Sequence, residues 1–62
     1  MEDFGIQFYD EEMDLWVQYA YHVSKKGYCY ETLDTSDGVT HYKNKRISET
    51  EFINAMEKYY NA

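Results

Sequence analysis

Proline is absent from this chain of 62 residues, glycine occurs three times and cysteine once. With no second thiol, Cys29 cannot close an internal disulfide. That excludes the stapled framework of small secreted domains and points to a reducing, cytoplasmic setting. No apolar run approaches the roughly 20 residues of a membrane-spanning helix, and no basic stretch precedes an apolar one at the N-terminus. Neither a membrane helix nor a signal peptide is therefore expected. The first twenty residues also lack Lys and Arg. They hold Glu2, Asp3, Asp10, Glu11, Glu12 and Asp14, whereas the six acids of residues 21–62 are balanced by six bases, so the net charge of −6 belongs to the N-terminal third. Phosphate binding needs the opposite sign, so no direct nucleic-acid contact is expected. A protein partner with a basic surface is expected instead.

What the chain has in quantity is aromatic side chains: one tryptophan, three phenylalanines and eight tyrosines. Residues 1–62 form a single domain, and a domain of this size buries only about 60% of the surface its unfolded chain exposes. Large rings help, because each buries much area at little cost in side-chain entropy. Eight phenolic hydroxyls cannot all find partners in so small a core. Tyr9, Tyr21 and Tyr60 are expected to be partly exposed, and tyrosine is enriched at interfaces.

Phe4, Ile6 and Phe8 alternate with Gly5 and Gln7, so residues 1–9 read as an arm or a short strand. Residues 10–26 read as a helix: Asp10 as N-cap, Glu11, Glu12 and Asp14 in the first turn, an apolar face of Met13, Trp16, Val17, Ala20 and Val23, then Lys25, Lys26 and Gly27 at the end. Residues 28–43 read as a hairpin turning at Asp37-Gly38. Residues 48–60 read as a second helix. Its N-cap is Ser48, Glu51 completes a capping box, Ile47 and Phe52 staple the entry, and Phe52, Ile53, Met56 and Tyr59 or Tyr60 form the stripe. The expected fold is α+β, in the order (β)αββα, with two helices packed on a small antiparallel sheet.

Asp10 and Asp14 are four apart and would share one side of the first helix, with Glu11 beside them. Glu2 and Asp3 join them if the arm folds back, and Glu31, Asp34 and Asp37 form a second acidic group on the hairpin. With Tyr21, these are the expected partner-binding residues. The same acids also serve a helix dipole, turn chemistry and solubility, and that alternative stays open. His22, His41 and Cys29 fit no zinc spacing, so no metal or cofactor is expected. Neither histidine is placed by the sequence beside Cys29 to activate it, and a domain this small has little room for a desolvated cleft, so no catalytic residue is assigned. Lys43, Lys45 and Arg46 form one short basic run, read as a solvated strand end.

In size, in its acids at positions 2, 3, 10, 11, 12 and 14, and in its tyrosine-rich remainder, the chain resembles small phage-encoded inhibitors, among them anti-CRISPR proteins and other DNA mimics. The resemblance is one of composition and carries no residue roles. It implies tight, non-covalent blocking of a host nuclease or polymerase; the chain itself is expected to be a monomer or homodimer. The balanced second half departs from the most acidic mimics and leaves room for aromatic contact. The alternative is a small dimeric interaction module with a tyrosine-rich interface. A winged-helix regulator is disfavoured because no basic recognition helix is present.

Overall fold

The computed structural model describes residues 2–60; Met1 of the expected arm and residues 61 and 62 lie outside it. Four strands run as an antiparallel meander, β1 (Phe4–Asp10), β2 (Leu15–His22), β3 (Gly27–Asp34) and β4 (His41–Ile47), and one helix, α1 (Glu49–Tyr60), follows. The fold is α+β, but its order is ββββα rather than (β)αββα.

The correction falls on residues 10–26, which form a turn, β2 and a one-turn 3-10 helix (Val23–Lys25). The helix signals in this segment act over single turns. The Asp10 carboxylate accepts the Met13 N–H at 3.0 Å, as a cap does, but Asp14 is left-handed at φ 57° and turns the chain back. Likewise Lys26, at φ 51°, closes the 3-10 turn by donating its N–H to the Val23 carbonyl at 3.1 Å. Between these points Leu15, Val17, Tyr19 and Tyr21 alternate with Trp16, Gln18, Ala20 and His22. This run of β-branched and aromatic residues suits a pleated strand, and β2 pairs on both sides, with β1 and with β3.

The register gives the sheet two unlike faces. Phe4, Tyr21, Tyr28 and Ile47 lie in one row across the strands, and Ile6, Tyr19 and Tyr30 lie in the next. This face is covered by α1. Phe52 meets Phe4 edge-on at 5.6 Å and Tyr28 at 4.7 Å, while Tyr59 stacks on Phe8 at 4.3 Å. The helix starts as its sequence indicates. Ser48 Oγ accepts the Glu51 N–H at 3.1 Å, and the staple pair Ile47 and Phe52 is buried. Its inner stripe is Phe52, Ala55, Met56 and Tyr59; Ile53, expected inside, is exposed, as is Tyr60. Burying a ring such as that of Phe52 contributes about 1.5–3 kcal/mol.

β1 is a full member of the sheet. Gly5 lies opposite Ala20, where a Cβ would stand 2.1 Å from the Tyr19 carbonyl oxygen, so the close approach of β1 to β2 requires glycine there. The hairpin turns where expected. Gly38, at φ 82°, donates its N–H to the Thr35 carbonyl, and the Asp34 and Asp37 carboxylates accept the Ser36 and Val39 N–H groups at 3.0 Å.

Candidate functional site

The second face of the sheet carries no helix. Its central positions are Ala20, Gly27, Cys29 and Glu31, all buried. Small residues form the floor and polar side chains form the roof. The Arg46 guanidinium lies 2.4 Å from where a Cβ on Gly27 would stand and donates to the Lys26 carbonyl at 3.1 Å. Glu31 is the hub of the roof, accepting from Gln18 Nε2 at 3.2 Å, from His22 Nε2 at 2.7 Å and from the Tyr42 hydroxyl. His22 Nδ1 in turn faces an Asp3 carboxylate oxygen at 3.1 Å, and the other Asp3 oxygen accepts the Val23 N–H at 2.8 Å.

These contacts determine protonation. An ionised carboxylate only accepts, and a neutral imidazole has one N–H, so His22 can satisfy both carboxylates only as imidazolium. Its pKa is accordingly raised, by the Glu31 hydrogen bond first and the Asp3 hydrogen bond second, against a smaller effect of burial. Burial pushes the Glu31 carboxyl up, but the hydrogen bonds from Tyr42 and His22 and the imidazolium charge together hold it below the ordinary range. Asp3 is lowered by the Val23 N–H and then by His22, and the Tyr42 hydroxyl is raised by its bond to Glu31.

A meander places the β1–β2 and β3–β4 turns at the same end of the sheet. Asp10 pairs with Leu15, Trp16 with Leu33, and Asp34 with His41, so the two acidic loops adjoin. Asp10, Glu11, Glu12, Asp14, Asp34 and Asp37 therefore gather at one end, with the exposed Met13 and Val39 among them. Some of these acids also build their loops: Asp10 and Asp34 accept backbone N–H groups, Asp14 accepts the Tyr9 hydroxyl, and Asp37 lies 2.9 Å from His41. The Asp37 carboxyl is lowered by that His41 hydrogen bond and by the Val39 N–H. Glu11 and Glu12 are exposed. Among the described residues, every carboxylate ion pair is to a histidine; the Asp34 carboxyl is lowered first by the Ser36 hydrogen bonds and further by the nearby charges of His41 and Lys43, the latter forming no ion pair with it.

Next to this acidic end, aromatic side chains stand out from the open face. Tyr9, Trp16 and Tyr42 are 43%, 44% and 57% exposed, and Tyr9 meets Trp16 edge-on at 5.5 Å. A shallow cleft of about 120 Å³ lies among Trp16, Leu33, Tyr42, Gln7, Gln18 and Glu31.

Of the expected partner-binding residues, Asp10, Glu11, Asp14, Asp34 and Asp37 come together, with Glu12 beside them. Asp10 and Asp14 do so from the two ends of a turn rather than from one side of a helix. The other four lie elsewhere. β1 carries Glu2 and Asp3 to the opposite end, so the arm does not fold back onto the acids. Glu31 is buried in mid-sheet rather than at the hairpin tip. Tyr21 is half-buried on the covered face, stacked on Phe4 at 5.5 Å. Trp16, assigned to a helix core from the sequence, belongs to the open face, as do Tyr42 and Leu33. Strand alternation from Leu15 to His22 was the signal that could have placed Trp16 there.

The remaining reactive groups are dispersed. His22 and His41 lie at opposite ends of the sheet, and Cys29 is buried between Ala20 and Arg46. The basic run is split, since Lys43 and Lys45 alternate with Asn44 and Arg46 across the two faces. No helix among the described residues is long and apolar enough to cross a membrane. The chain matches no protein-family model, no curated protein and no solved structure.

Proposed function

We propose that this protein is a non-catalytic intracellular inhibitor that covers the basic, nucleic-acid-binding surface of a partner protein, in the manner of the phage-encoded inhibitors it resembles. A host nuclease or polymerase is the partner class this reading implies. The observation that carries it is the junction of two hairpin loops into one cluster of six carboxylates, none of them in an ion pair with Lys or Arg among the described residues, bordered by exposed aromatic rings. Carboxylates spaced along such an end repel phosphate and attract the Lys and Arg side chains that would otherwise hold it. The rings add contact area at low entropic cost.

The test is affinity capture from a host-cell lysate, followed by titration of the chain into the captured protein bound to a labelled duplex. Displacement of the duplex, weakening as salt rises from about 50 to 200 mM and lost in Glu11→Lys/Glu12→Lys, is the expected result. These two acids suit charge reversal because they are exposed and take no part in the loop contacts described above. A captured protein that keeps its duplex, or binding indifferent to salt and to both reversals, would overturn the proposal.

The same uncovered aromatic face favours a second reading, a homodimer joined through Tyr9, Trp16 and Tyr42. Sedimentation separates the two, since a dimer shows a mass that rises with concentration and falls in Tyr42→Ala.

A further inference from the structure

The cleft on the open face has a chemistry of its own. Trp16, Leu33 and Tyr42 stand side by side on β2, β3 and β4, in direct register. Strands are spaced by about 4.8 Å, so the two aromatic residues rise about 10 Å apart with an aliphatic side chain between them. Cation–π attraction reaches roughly 6 Å from a ring, so a flat cation seated above Leu33 would have an aromatic side chain on each side. One end of the cleft is closed by Glu31, whose side chain is 10% exposed. Gln18 Nε2 and His22 Nε2 both donate to Glu31 Oε1, the Tyr42 hydroxyl donates to Oε2, and Asn44, which donates to the Tyr42 hydroxyl at 3.3 Å, also helps to hold the Glu31 carboxyl down. Gln18, whose amide nitrogen is committed to Glu31, keeps its amide oxygen as a further acceptor. The cleft thus offers aromatic side chains on two sides, an apolar floor, and carboxylate and amide oxygens at one end.

We infer that the cleft between Trp16 and Tyr42, floored by Leu33 and ended by Glu31, seats one arginine side chain of the basic partner. This rests on the reading given under Proposed function and names the anchor residue of that contact. Arginine suits the cleft better than lysine. Guanidinium is planar, stacks on rings, is weakly hydrated and presents several N–H donors in its plane, whereas ammonium is compact and strongly hydrated. The acidic loops draw either cation toward this end of the domain; only the cleft distinguishes them.

The experiment uses oligo-arginine and oligo-lysine peptides of equal length, titrated at low salt into the full chain. Trp16 is the one tryptophan, so its fluorescence reports on the cleft directly. Backbone amide shifts report on the loops. The expected result is that the arginine peptide binds about tenfold more tightly and changes Trp16 emission, while the lysine peptide moves only the loop amides. Tyr42→Val removes one wall at an exposed edge-strand position and should abolish the preference while leaving loop binding. Glu31→Gln, checked for folding, should reduce the preference as well. Glu11→Lys/Glu12→Lys should weaken both peptides and leave their ratio unchanged. Equal binding of the two peptides with Trp16 emission unmoved, or a preference that survives Tyr42→Val, overturns the arginine seat and leaves the wider reading standing. Failure of both peptides to bind overturns both.

Discussion

The two faces of the sheet solve burial in opposite ways. On the covered face, aromatic residues from β1, β2 and β3 pack against Phe52 and Tyr59, and the helix leaves most of them half-buried. On the open face the buried positions are small, and long polar side chains roof them: Arg46 over Gly27, and the Asp3–His22–Glu31–Tyr42 chain over the centre. No buried side-chain polar atom among the described residues lacks a partner. The open face is therefore complete without a second layer. Its exposed rings gather at the acidic end: Tyr9 and Trp16 lie outside that roof, and Tyr42 joins it through its hydroxyl alone. Being solvent-exposed, these rings should contribute less to folding than those of the covered face.

The largest loss of stability should follow removal of the ring that joins the helix to the sheet. Phe52→Ala should cost about 3–5 kcal/mol, as much as a domain this small holds in total. Circular dichroism should show a largely unfolded chain. A cooperative thermal transition close to that of the wild type would mean that the covered face does not dominate stability.

The open face should respond less, and through hydrogen bonds rather than volume. Glu31→Ala removes the acceptor for Gln18, His22 and Tyr42, and should cost about 1–3 kcal/mol by urea denaturation. The loss should shrink when His22→Ala is already present, because the two act as one network. Additive losses would show that Glu31 and His22 contribute independently.

The same network makes stability depend on pH. The folded pKa of His22 lies above its ordinary 6.5, so its contribution is complete below 6.5 and is lost as pH rises through the raised value. Asp3 and Glu31 lie below their ordinary 3.8 and 4.5, so their contributions are complete above those values and are lost as pH falls through the lowered ones. The urea midpoint should be highest between about 4.5 and 6.5 and decline on either side. His22→Gln should remove most of the alkaline decline. A midpoint that stays level above 6.5 would mean that the imidazolium bridge adds nothing.

What could be read from the sequence was the chemistry that closes within a few residues. Ser48 caps its helix, Ile47 and Phe52 staple it, and Asp37-Gly38 turns the hairpin, each through neighbours at most five positions away. Asp10, which reads as a helix N-cap, caps a turn, and Lys26, which reads as part of a last helical turn, is the left-handed residue that ends a 3-10 turn, because the segment between them supports both periods. Trp16, Val17, Ala20 and Val23 fit a helical face, and Leu15, Val17, Tyr19 and Tyr21 fit a strand face. The choice is made by pairing with β1 and β3, which is not local. The Glu31 network depends on that pairing in turn, since only the register sets Gln18, His22 and Tyr42 around one carboxylate. The correction also bears on the acids. Without a first helix, Glu11, Glu12 and Asp14 no longer have a helix dipole to explain them, and the charge cluster stands more clearly as a surface feature.

The smallest expected effect on stability is the most informative about function. Trp16 is nearly half exposed and meets Tyr9 edge-on, so Trp16→Thr keeps a β-forming residue in β2 and should change stability by less than about 1 kcal/mol. If the rings serve a partner, the same substitution should weaken binding of an arginine-rich peptide by about tenfold or more, read by calorimetry because the fluorophore is gone. The two measurements test the contrast between the faces at one residue. A large loss of stability would place Trp16 with Phe52 as part of the core. Unchanged binding would leave the acidic loops as the whole of the contact. A small stability change with a large binding loss would show that the open face folds without these rings and recognises with them.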